Sequence, residues 1–340
     1  MKLIRFLLFP FAIIYSIITT IRNYFFDIGL FKSTSFKKPI IAVGNLSVGG
    51  TGKTPQIEYL IQLLRDNYKI GVLSRGYGRK TKGFILVDDT KNAVDVGDEP
   101  LQFSKKFKEI AVAVDENRVN GIQQMQSSEV ILLDDAFQHR KVKAGFYVLL
   151  TKYNELFSND FVLPTGNLRE RRIGAKRTDV LVVTKCPATI DTLEKKELKQ
   201  LISRYFNGPI FFSTIQYADV LFSNNDVQIK TSDLNLYEVL LVTGIANPKP
   251  LESYLSSLNC AFKHVKFPDH HQFSEEEIAD LKEQFIALKS KNKIILTTEK
   301  DFVRLFNQLE NLYYLPIQTQ FLEGQEKFNL LITDYIKESL

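Results

Sequence analysis

The glycine-rich stretch VGNLSVGGTGKTP (43–55) contains the residue types that bind a nucleotide phosphate. It ends in Gly52-Lys53-Thr54, as a P-loop does, where backbone N–H groups surround the phosphates, the lysine neutralises their oxygens and the hydroxyl binds Mg²⁺. Ser47 replaces the first glycine of the usual pattern G-x-x-x-x-G-K-[ST]. Either its hydroxyl contacts a phosphate or serine is simply small enough for the turn. The predicted nucleotide-binding residues are Ser47, Val48, Gly49, Gly50, Thr51, Gly52, Lys53 and Thr54.

The segments on either side of this loop favour a working site. Residues 39–44 (PIIAVG) have the pattern of a short buried strand, and residues 55–67 carry apolar side chains at helical spacing. A strand before the glycines and a helix after them form the context that a P-loop requires. The alternative, a glycine-rich turn that contains GKT by accident, is disfavoured by that context.

A second motif supplies carboxylates for a metal ion. The segment EVILLDDAFQHR (129–140) is an apolar run that ends in Asp134-Asp135, the form of a Walker B strand. Alone, it would also fit a strand that ends in a solvated acidic turn, but the P-loop upstream favours the metal site. We predict Thr54, Asp134 and Asp135 as Mg²⁺ ligands, and which aspartate lies nearer the metal stays open.

The segment VTKCP (183–187) bears on the choice of nucleotide. Guanine-specific P-loop proteins usually end a late strand with N/T-K-x-D, in which the aspartate binds the guanine edge. Here Pro187 stands in the place of that aspartate. The sequence therefore favours ATP over GTP.

Two further polar segments could handle a proton. GDEP (97–100) stands at a predicted helix start, and FPDHHQF (267–273) follows a predicted strand. A carboxylate near the P-loop could take a proton from an attacking hydroxyl, and a histidine bonded to that carboxylate could orient it. Spacing alone instead favours Asp98 as a helix-initiating acid and His270-His271 as a turn.

Strand and helix patterns alternate along most of the chain. This alternation predicts an α/β fold, a P-loop NTPase-type α/β/α sandwich with a mostly parallel sheet. A second strand–helix series begins at Val239, and Ser274 with Glu277 forms a capping box at the start of a predicted helix over 274–288. With 340 residues, more than one domain is expected. The predicted units are an N-terminal apolar segment over 1–35, a P-loop ATP-binding domain over 36–220 and a smaller α/β domain over 221–340.

Composition and charge argue against several classes of function. A formal charge of +5 on 340 residues is modest and predicts no nucleic-acid partner. Cys186 and Cys260 have neither CxxC nor zinc-like spacing, which argues against a metallocluster ATPase and against a disulfide framework. No segment indicates an obligate protein partner.

The N-terminal segment contains an apolar run, Phe6–Ile18, flanked by Lys2, Arg5 and Arg22. The run is shorter than the roughly 20 residues of a spanning helix, and it contains Pro10. A signal peptide is disfavoured because no small-x-small cleavage site follows. Two alternatives remain: a helix that lies in a membrane interface, which we favour, and a helix buried against the domain.

Eight motifs follow one another along the chain: VGNLSVGGTGKTP, SRGYGR (74–79), GDEP, LLDDAFQHR (132–140), PTGNLRE (164–170), VTGIANP (242–248), FPDHHQF and TTEKDFVR (297–304). In this order they resemble the tetraacyldisaccharide 4′-kinase family of lipid A biosynthesis, over nearly the whole chain. The combination of GDEP, DDAFQHR and DHH is specific to that family. The resemblance implies ATP, Mg²⁺ and transfer of the γ-phosphate to the 4′-hydroxyl of an acylated glucosamine disaccharide 1-phosphate. It also implies a lipid substrate, a cleft between two α/β domains, and a place at the cytoplasmic face of the inner membrane, on the membrane surface.

The resemblance also implies roles for single residues. Asp98 corresponds to the catalytic base, and His270, rather than His271, corresponds to its partner. Lys53 and Thr54 correspond to the phosphate and metal ligands. The other polar positions of the cleft that it implies are Arg75, Glu99, Asp134, Asp135, Gln138, His139, Arg169 and Glu170.

One loop departs from the family pattern, in which proline often follows LRE. Here Arg171-Arg172 follow Glu170, and residues 169–177 (RERRIGAKR) are strongly basic. This loop either contacts the substrate phosphate or anionic lipid headgroups, or it is a solvated basic loop.

Two other functions stay open. A P-loop kinase or ATP-dependent ligase that acts on a soluble small molecule would not need the apolar run at 6–18. A non-enzymatic, nucleotide-regulated binding module would show no ATP turnover that depends on an acceptor.

Overall fold

The computed structural model of the chain describes residues 5–223, 227–305 and 308–340, so Lys2 and the first four positions of the predicted segment 1–35 lie outside it. Two sheets organise the described residues. We call the nine-stranded sheet with its helices the first lobe, and the six-stranded sheet with its helices the second lobe. The predicted α/β class with a mostly parallel sheet is confirmed.

The first lobe begins with a helix and continues as strands separated by helices and loops. In chain order its elements are α1 (Phe9–Asp27), β1 (Ile40–Asn45), α2 (Lys53–Leu64), β2 (Ile70–Ser74), β3 (Ile85–Leu86), α3 (Ala93–Val96), α4 (Asp98–Lys106), β4 (Ala111–Val114), α5 (Arg118–Gln124), β5 (Val130–Asp134), β6 (Phe146–Lys152), β7 (Val180–Thr184), α6 (Thr192–Ser203) and β8 (Ile210–Tyr217).

The second lobe follows, and the chain then adds one more strand and helix. These elements are β9 (Val220–Ser223), β10 (Gln228–Lys230), β11 (Glu238–Thr243), α7 (Lys249–Ser257), β12 (Ala261–Lys266), α8 (Glu275–Ile286), β13 (Lys293–Thr298), α9 (Glu299–Leu305), β14 (Leu312–Leu315), β15 (Ile317–Phe321) and α10 (Gln325–Ser339). The capping box at Ser274 and Glu277 is present, and α8 begins directly after it.

The order of strands in the first sheet is β15-β8-β7-β6-β1-β5-β2-β4-β3. Its inner strands are parallel, and β15 and β3 pair antiparallel at the two edges. Strands β1, β2 and β5 are buried along their whole length, which is why each reads as a continuous apolar run. The P-loop strand β1 lies between β5 and β6, so the Walker B carboxylates lie at the same sheet edge as the P-loop.

The second sheet has the order β10-β9-β14-β13-β11-β12. Strands β12, β11, β13 and β14 are parallel, and β9 and β10 add an antiparallel edge. The FPDHHQF segment follows the carboxyl end of β12, and TTEKDFVR spans the carboxyl end of β13 and continues into α9. Parallel α/β sheets place functional groups at such strand ends.

The C-terminal part of the chain returns to the first lobe. Strand β15 pairs with β8, and α10 places Phe328, Ile332 and Ile336 in the same core as Ile41 of β1. The prediction grouped these residues with the second α/β unit, 221–340, whereas β15 pairs in the first sheet and α10 packs on the first lobe. The apolar face of α10 is buried there, because it packs on the core of the first lobe.

Polar side chains attach helix α1 and the residues just before it to the first lobe. Arg5 donates to the carbonyl of Pro164 (3.0 Å), and the Tyr15 hydroxyl donates to the carbonyl of Arg169 (2.8 Å). Most of its large apolar side chains point away from the lobe and are exposed, so a buried helix does not describe α1. Within the described ranges, no helix combines the length and apolar character that crossing a membrane requires.

Candidate active site

The P-loop has the strand–loop–helix form that the sequence predicts. Strand β1 ends at Asn45 and α2 begins at Lys53. Gly49 and Gly52 have φ angles of 98° and 86°, a left-handed conformation that glycine adopts readily and other residues rarely do. The glycines are therefore required by the turn that aims the N-terminus of α2 toward the cleft.

Two neighbouring segments hold this loop in place. On one side, the Val48 N–H donates to the Asn167 carbonyl (2.8 Å), and Ser47 forms an isolated antiparallel bridge with Leu168. On the other side, Lys185 Nζ donates to the Gly50 carbonyl at 2.7 Å. The sequence offered VTKCP only as a sign of nucleotide choice, so this contact of Lys185 was missed.

Lys53 faces a carboxylate at the end of the Walker B strand. Its Nζ lies 3.6 Å from Asp135 Oδ1, and Arg169 Nη1 donates to both oxygens of Asp135 at 2.9 and 3.0 Å. Burial alone would raise the pKa of Asp135, but Lys53 and Arg169 outweigh burial and lower it. Asp135 is therefore ionised beside the P-loop lysine.

Asp134 lies deeper than Asp135 and has a different environment. Ser74 Oγ donates to its Oδ2 at 2.9 Å, and the residue is 8% exposed. Burial, and then the neighbouring charge of Asp135, raise the pKa of Asp134 to about 6. Arg118, a residue that the sequence did not single out, is buried alongside, and burial lowers its pKa to about 10.

The residues present fit a Mg²⁺ ion. Thr54, Asp134 and Asp135 offer hydroxyl and carboxylate oxygens, which are the ligands that Mg²⁺ prefers. The raised pKa of Asp134 reflects two carboxylates in a buried place, an arrangement that a cation would relieve. Among residues 5–223, 227–305 and 308–340, no group of three or more His, Cys, Asp or Glu side chains could hold a metal by itself. The ion would thus complete its shell with phosphate oxygens and water.

Asp98 is the first residue of α4 and is 4% exposed. Although it is buried in the first lobe, its partners come from the second. Arg304 Nε donates to Oδ1 at 2.7 Å, Arg304 Nη2 donates to Oδ2, and His270 Nδ1 lies 2.8 Å from Oδ2. Burial raises the pKa of Asp98, but Arg304 and then His270 outweigh burial and lower it.

The contacts of His270 favour one tautomer. Lys300 Nζ, which can only donate, lies 2.9 Å from Nε2, and the Asp98 carboxylate, an acceptor, lies 2.8 Å from Nδ1. These two contacts suit a ring proton on Nδ1, and they are shorter than the 3.2 Å between Arg304 Nη2 and the same nitrogen. His270 has a φ of +60°, and its ring lies 5.5 Å from that of Tyr77.

Lys300 and Arg304 were missed as site residues, although their motif TTEKDFVR was noticed. Both lie in α9, one helical turn apart, which places them on one face toward Asp98. Lys300 Nζ also lies 3.5 Å from Glu99 Oε1, so the second residue of α4 joins the cluster. The contact of Arg304 with Asp98 spans 206 positions, and nothing in the local sequence indicates it.

The structure separates the two neighbouring histidines. His271 Nε2 lies 2.9 Å from Glu277 Oε2, and its ring stacks on that of Phe267 with the centroids 4.7 Å apart. His271 therefore holds the start of α8, whereas His270 faces Asp98.

The remaining predicted residues lie around the P-loop end of the cleft. Glu170 is 2% exposed and accepts from Arg177 Nη2 at 2.8 and 2.9 Å and from Gln138 Nε2 at 3.0 Å. Burial, and then the charge of Arg118, lower the pKa of His139 to about 4, so its ring is neutral. Arg75 is exposed and adds to the lowering of that pKa.

Within the basic loop 169–177, the positive charges are divided between structural and exposed positions. Arg172 Nε donates to the Asp160 carbonyl (2.8 Å) and Arg177 binds Glu170, so both hold the loop itself. Arg171 and Lys176 are exposed. A contact with an anionic partner would therefore involve these two side chains.

Glu99 links the two groups of residues. It follows Asp98 in α4, its Oε1 lies 3.5 Å from Lys300 Nζ, and its charge contributes to the raised pKa of Asp134. The Asp98–His270–Arg304 cluster therefore lies near the Walker B carboxylates.

Comparison with known proteins gives a consistent result. The family model of LpxK, tetraacyldisaccharide-1-P 4′-kinase, matches residues 4–337. The tetraacyldisaccharide 4′-kinase of Flavobacterium psychrophilum is 53% identical to this chain, over 100% of this chain and 99% of that protein. The tetraacyldisaccharide 4′-kinase of Bacteroides thetaiotaomicron is 43% identical, over 98% of this chain and 93% of that protein. A crystal structure of an "apo" form LpxK from Aquifex aeolicus in complex with ATP is 31% identical, with a TM-score of 0.79 over 98% of this chain and 99% of that one. The chain therefore belongs to the tetraacyldisaccharide-1-P 4′-kinase family, as the order of its motifs predicted.

Proposed function

We propose that this chain transfers the γ-phosphate of ATP to the 4′-hydroxyl of a tetraacyldisaccharide 1-phosphate, with Asp98 as the base and His270 as its partner. The observation that carries the proposal is the buried Asp98 of the first lobe, bound by His270 and Arg304 of the second. A base assembled from both lobes, opposite a P-loop, suits a transfer between two bound substrates.

The P-loop end of the cleft would bind ATP. The N-terminus of α2, its backbone N–H groups and Lys53 would neutralise the phosphate oxygens. Mg²⁺, held by Thr54 with Asp134 and Asp135, would supply further positive charge at the β and γ oxygens. Arg169 and Lys53 both contact Asp135, so the two side chains orient one carboxylate for that purpose.

The Asp98 end would accept the proton. The 4′-oxygen forms a bond to the γ-phosphorus, the bond from that phosphorus to the β,γ-bridging oxygen breaks, and the hydroxyl proton passes to Asp98. The lowered pKa of Asp98 makes it a weak base. A weak base is sufficient here, because in the loose transition state of phosphoryl transfer the hydroxyl proton becomes acidic only late, when the bond to phosphorus is forming. The Nδ1–H of His270 holds the carboxylate in orientation meanwhile.

We expect Asp98→Ala and His270→Ala each to lower kcat far more than they raise the KM for ATP, because neither side chain lies at the P-loop. The measurement is transfer from γ-labelled ATP to a purified acylated disaccharide 1-phosphate. The control variant is Lys230→Ala, at an exposed lysine of the second lobe, which should leave both constants unchanged. Unchanged turnover in both alanine variants would reject the assignment, and equal transfer to a soluble, non-acylated acceptor would favour the alternative kinase.

Helix α1 supports a place on a membrane surface, at the cytoplasmic face of the inner membrane, where the acyl chains of the substrate would stay in the bilayer. Tyr15 of α1 bonds the Arg169 carbonyl, and Arg5, just before the helix, bonds the Pro164 carbonyl of the same loop, which lies next to the P-loop. The outward apolar side chains of α1 include Phe11, Ile14 and Ile18, which are 61%, 56% and 59% exposed. Such a face suits an interfacial helix that presents the cleft to a lipid.

A further inference from the structure

Glu58, Lys106 and Glu299 form a buried cluster of charged side chains that the proposed chemistry does not use. Lys106 Nζ lies 2.6 Å from Glu58 Oε2 and 2.7 Å from Glu299 Oε1. The side chains of Glu58 and Glu299 are 4% and 7% exposed, and that of Lys106 is 21% exposed. One ammonium group is thus shared by two buried carboxylates.

Each member of this cluster belongs to a helix that also carries part of the active site. Glu58 lies in α2, whose first residue is the P-loop Lys53. Lys106 ends α4, whose first residue is Asp98. Glu299 begins α9, the helix whose arginine binds that aspartate. The cluster therefore joins the three helices at places away from the reacting atoms.

The cluster also joins the two lobes. Helices α2 and α4 belong to the first lobe, whereas α9 follows β13 of the second. The remaining carboxylate oxygens have donors too: Gln102 Nε2 donates to Glu58 Oε1 at 2.8 Å, and the Ile317 N–H donates to Glu299 Oε2 at 3.3 Å. All four oxygens are therefore satisfied, which marks a specific arrangement rather than a chance approach of charges.

Such a cluster contributes geometry more than stability. Desolvation of buried charges offsets much of their attraction, so replacing them by apolar side chains would often cost little. Their hydrogen bonds, however, are satisfied in only one arrangement of the three helices. Since α4 is a rigid rod of nine residues, roughly 12 Å long, a shift at Lys106 moves Asp98 as well.

We propose that Lys106 is a positioning residue for the phosphoryl transfer: by bridging Glu58 and Glu299 it fixes α4 against α9, so that Arg304 and His270 meet Asp98. The proposal rests on the role of Asp98 proposed above. It requires no contact between Lys106 and either substrate.

The test compares full-length variants in the labelled-ATP assay, with rates referred to folded enzyme. Lys106→Met is expected to lower kcat about 10- to 100-fold, because a misplacement of about 1 Å can cost about 100-fold, while the KM for ATP changes little. Lys106→Arg should restore most of the rate, because a guanidinium can still bridge two carboxylates. The matched control is Lys108→Met, which removes an exposed lysine two positions further on.

A double variant separates positioning from a general structural effect. If Lys106 acts through Asp98, Lys106→Met should reduce kcat little further in an Asp98→Ala background, because the two changes remove one function. Effects that multiply would overturn the proposal, and so would a folded Lys106→Met enzyme with a kcat within twofold of the unmodified one. If Lys106→Met does not fold, Glu299→Gln is measured instead; a fall in kcat is expected, and an unchanged kcat overturns the proposal. Full activity of Asp98→Ala alone would reject the proposed base, which is a different result.

Discussion

At the scale of single residues, the environment of Asp98 is the most informative feature of the cleft. Both of its oxygens already have partners, Arg304 on each of them and His270 on one. The side chain that we propose as the base is therefore held as a carboxylate by groups of the other lobe. In that role its basicity would depend on how closely the two lobes approach.

Replacing Arg304 should shift the pH profile of the reaction. Arg304 lowers the pKa of Asp98, so Arg304→Gln should raise that pKa. A base must be ionised to act, so kcat/KM falls as the pH drops through the pKa of the base. The acid limb of the pH profile should therefore lie at higher pH in the variant than in the unmodified enzyme. The measurement is kcat/KM against pH, with the exposed Arg204→Gln as control. An acid limb that stays in place would show that Asp98 does not govern it.

At the scale of elements, the sequence patterns predicted where the strands lie along the chain better than which strands pair with each other. The predicted strand over 39–44 and the apolar run that ends in Asp134 are β1 and β5 in the structure, because continuous apolar runs bounded by polar residues leave little choice. Strand β15 and helix α10 were missed as parts of the first lobe. Their partner β8 lies about a hundred positions earlier in the chain, and such pairing has no local signal.

The candidate site shows the same division. Gly52 and Asp135 were predictable, because a motif carries their chemistry within a few residues. Arg304 and Lys300 were not assigned, because their partners lie in the other lobe and in another motif. Arg169 was implied by resemblance alone, and its contact with Asp135 depends on how the loop before it folds.

Helix α1 leads to a prediction about membrane binding. The double variant Ile14→Glu/Ile18→Glu should bind much more weakly to vesicles that contain anionic lipid, because both side chains point outward from the helix. Thermal stability should change little, since neither residue is buried. The measurement is co-flotation with vesicles, and Ile286→Glu, at a side chain that is 72% exposed in the second lobe, is the control. Equal flotation of the double variant and the control would remove the support for an interfacial helix.

At the scale of the whole molecule, the contact between the lobes contains a carboxyl group, Glu58, with a raised pKa. Burial, and then the charge of Glu299, raise the pKa of Glu58 from 4.5 to about 7, while Lys106 and Gln102 oppose the rise. Tyr314, from β14, also lies near this group and has its pKa raised to about 12 by burial. Glu58 therefore stays protonated in the folded protein at a pH where the unfolded chain has released the proton.

The free energy of unfolding should consequently fall as the pH rises from about 4.5 to about 7. The contribution of Glu58 is complete below the lower value and is lost as the pH passes the higher one. Glu58→Gln should lack this part of the fall, on the order of 1–3 kcal/mol. Urea unfolding at pH 5 and pH 8 measures it, with the exposed Glu276→Gln as control. If Glu58→Gln and the unmodified protein lose stability equally, the carboxyl group is not protonated in the fold.

The chain leaves the first sheet after β8 and returns to it at β15, and these two strands pair with each other. Tyr217, the last residue of β8, lies directly opposite Ile317, the first residue of β15, and the Ala218 N–H donates to the Pro316 carbonyl at 2.9 Å. The two strands are thus the arms of a β-hairpin, and the second lobe takes the place of its turn. The second lobe is therefore an insertion between two paired strands of the first sheet. Because it is tethered at both ends, His270 and Arg304 stay at a high effective concentration near Asp98.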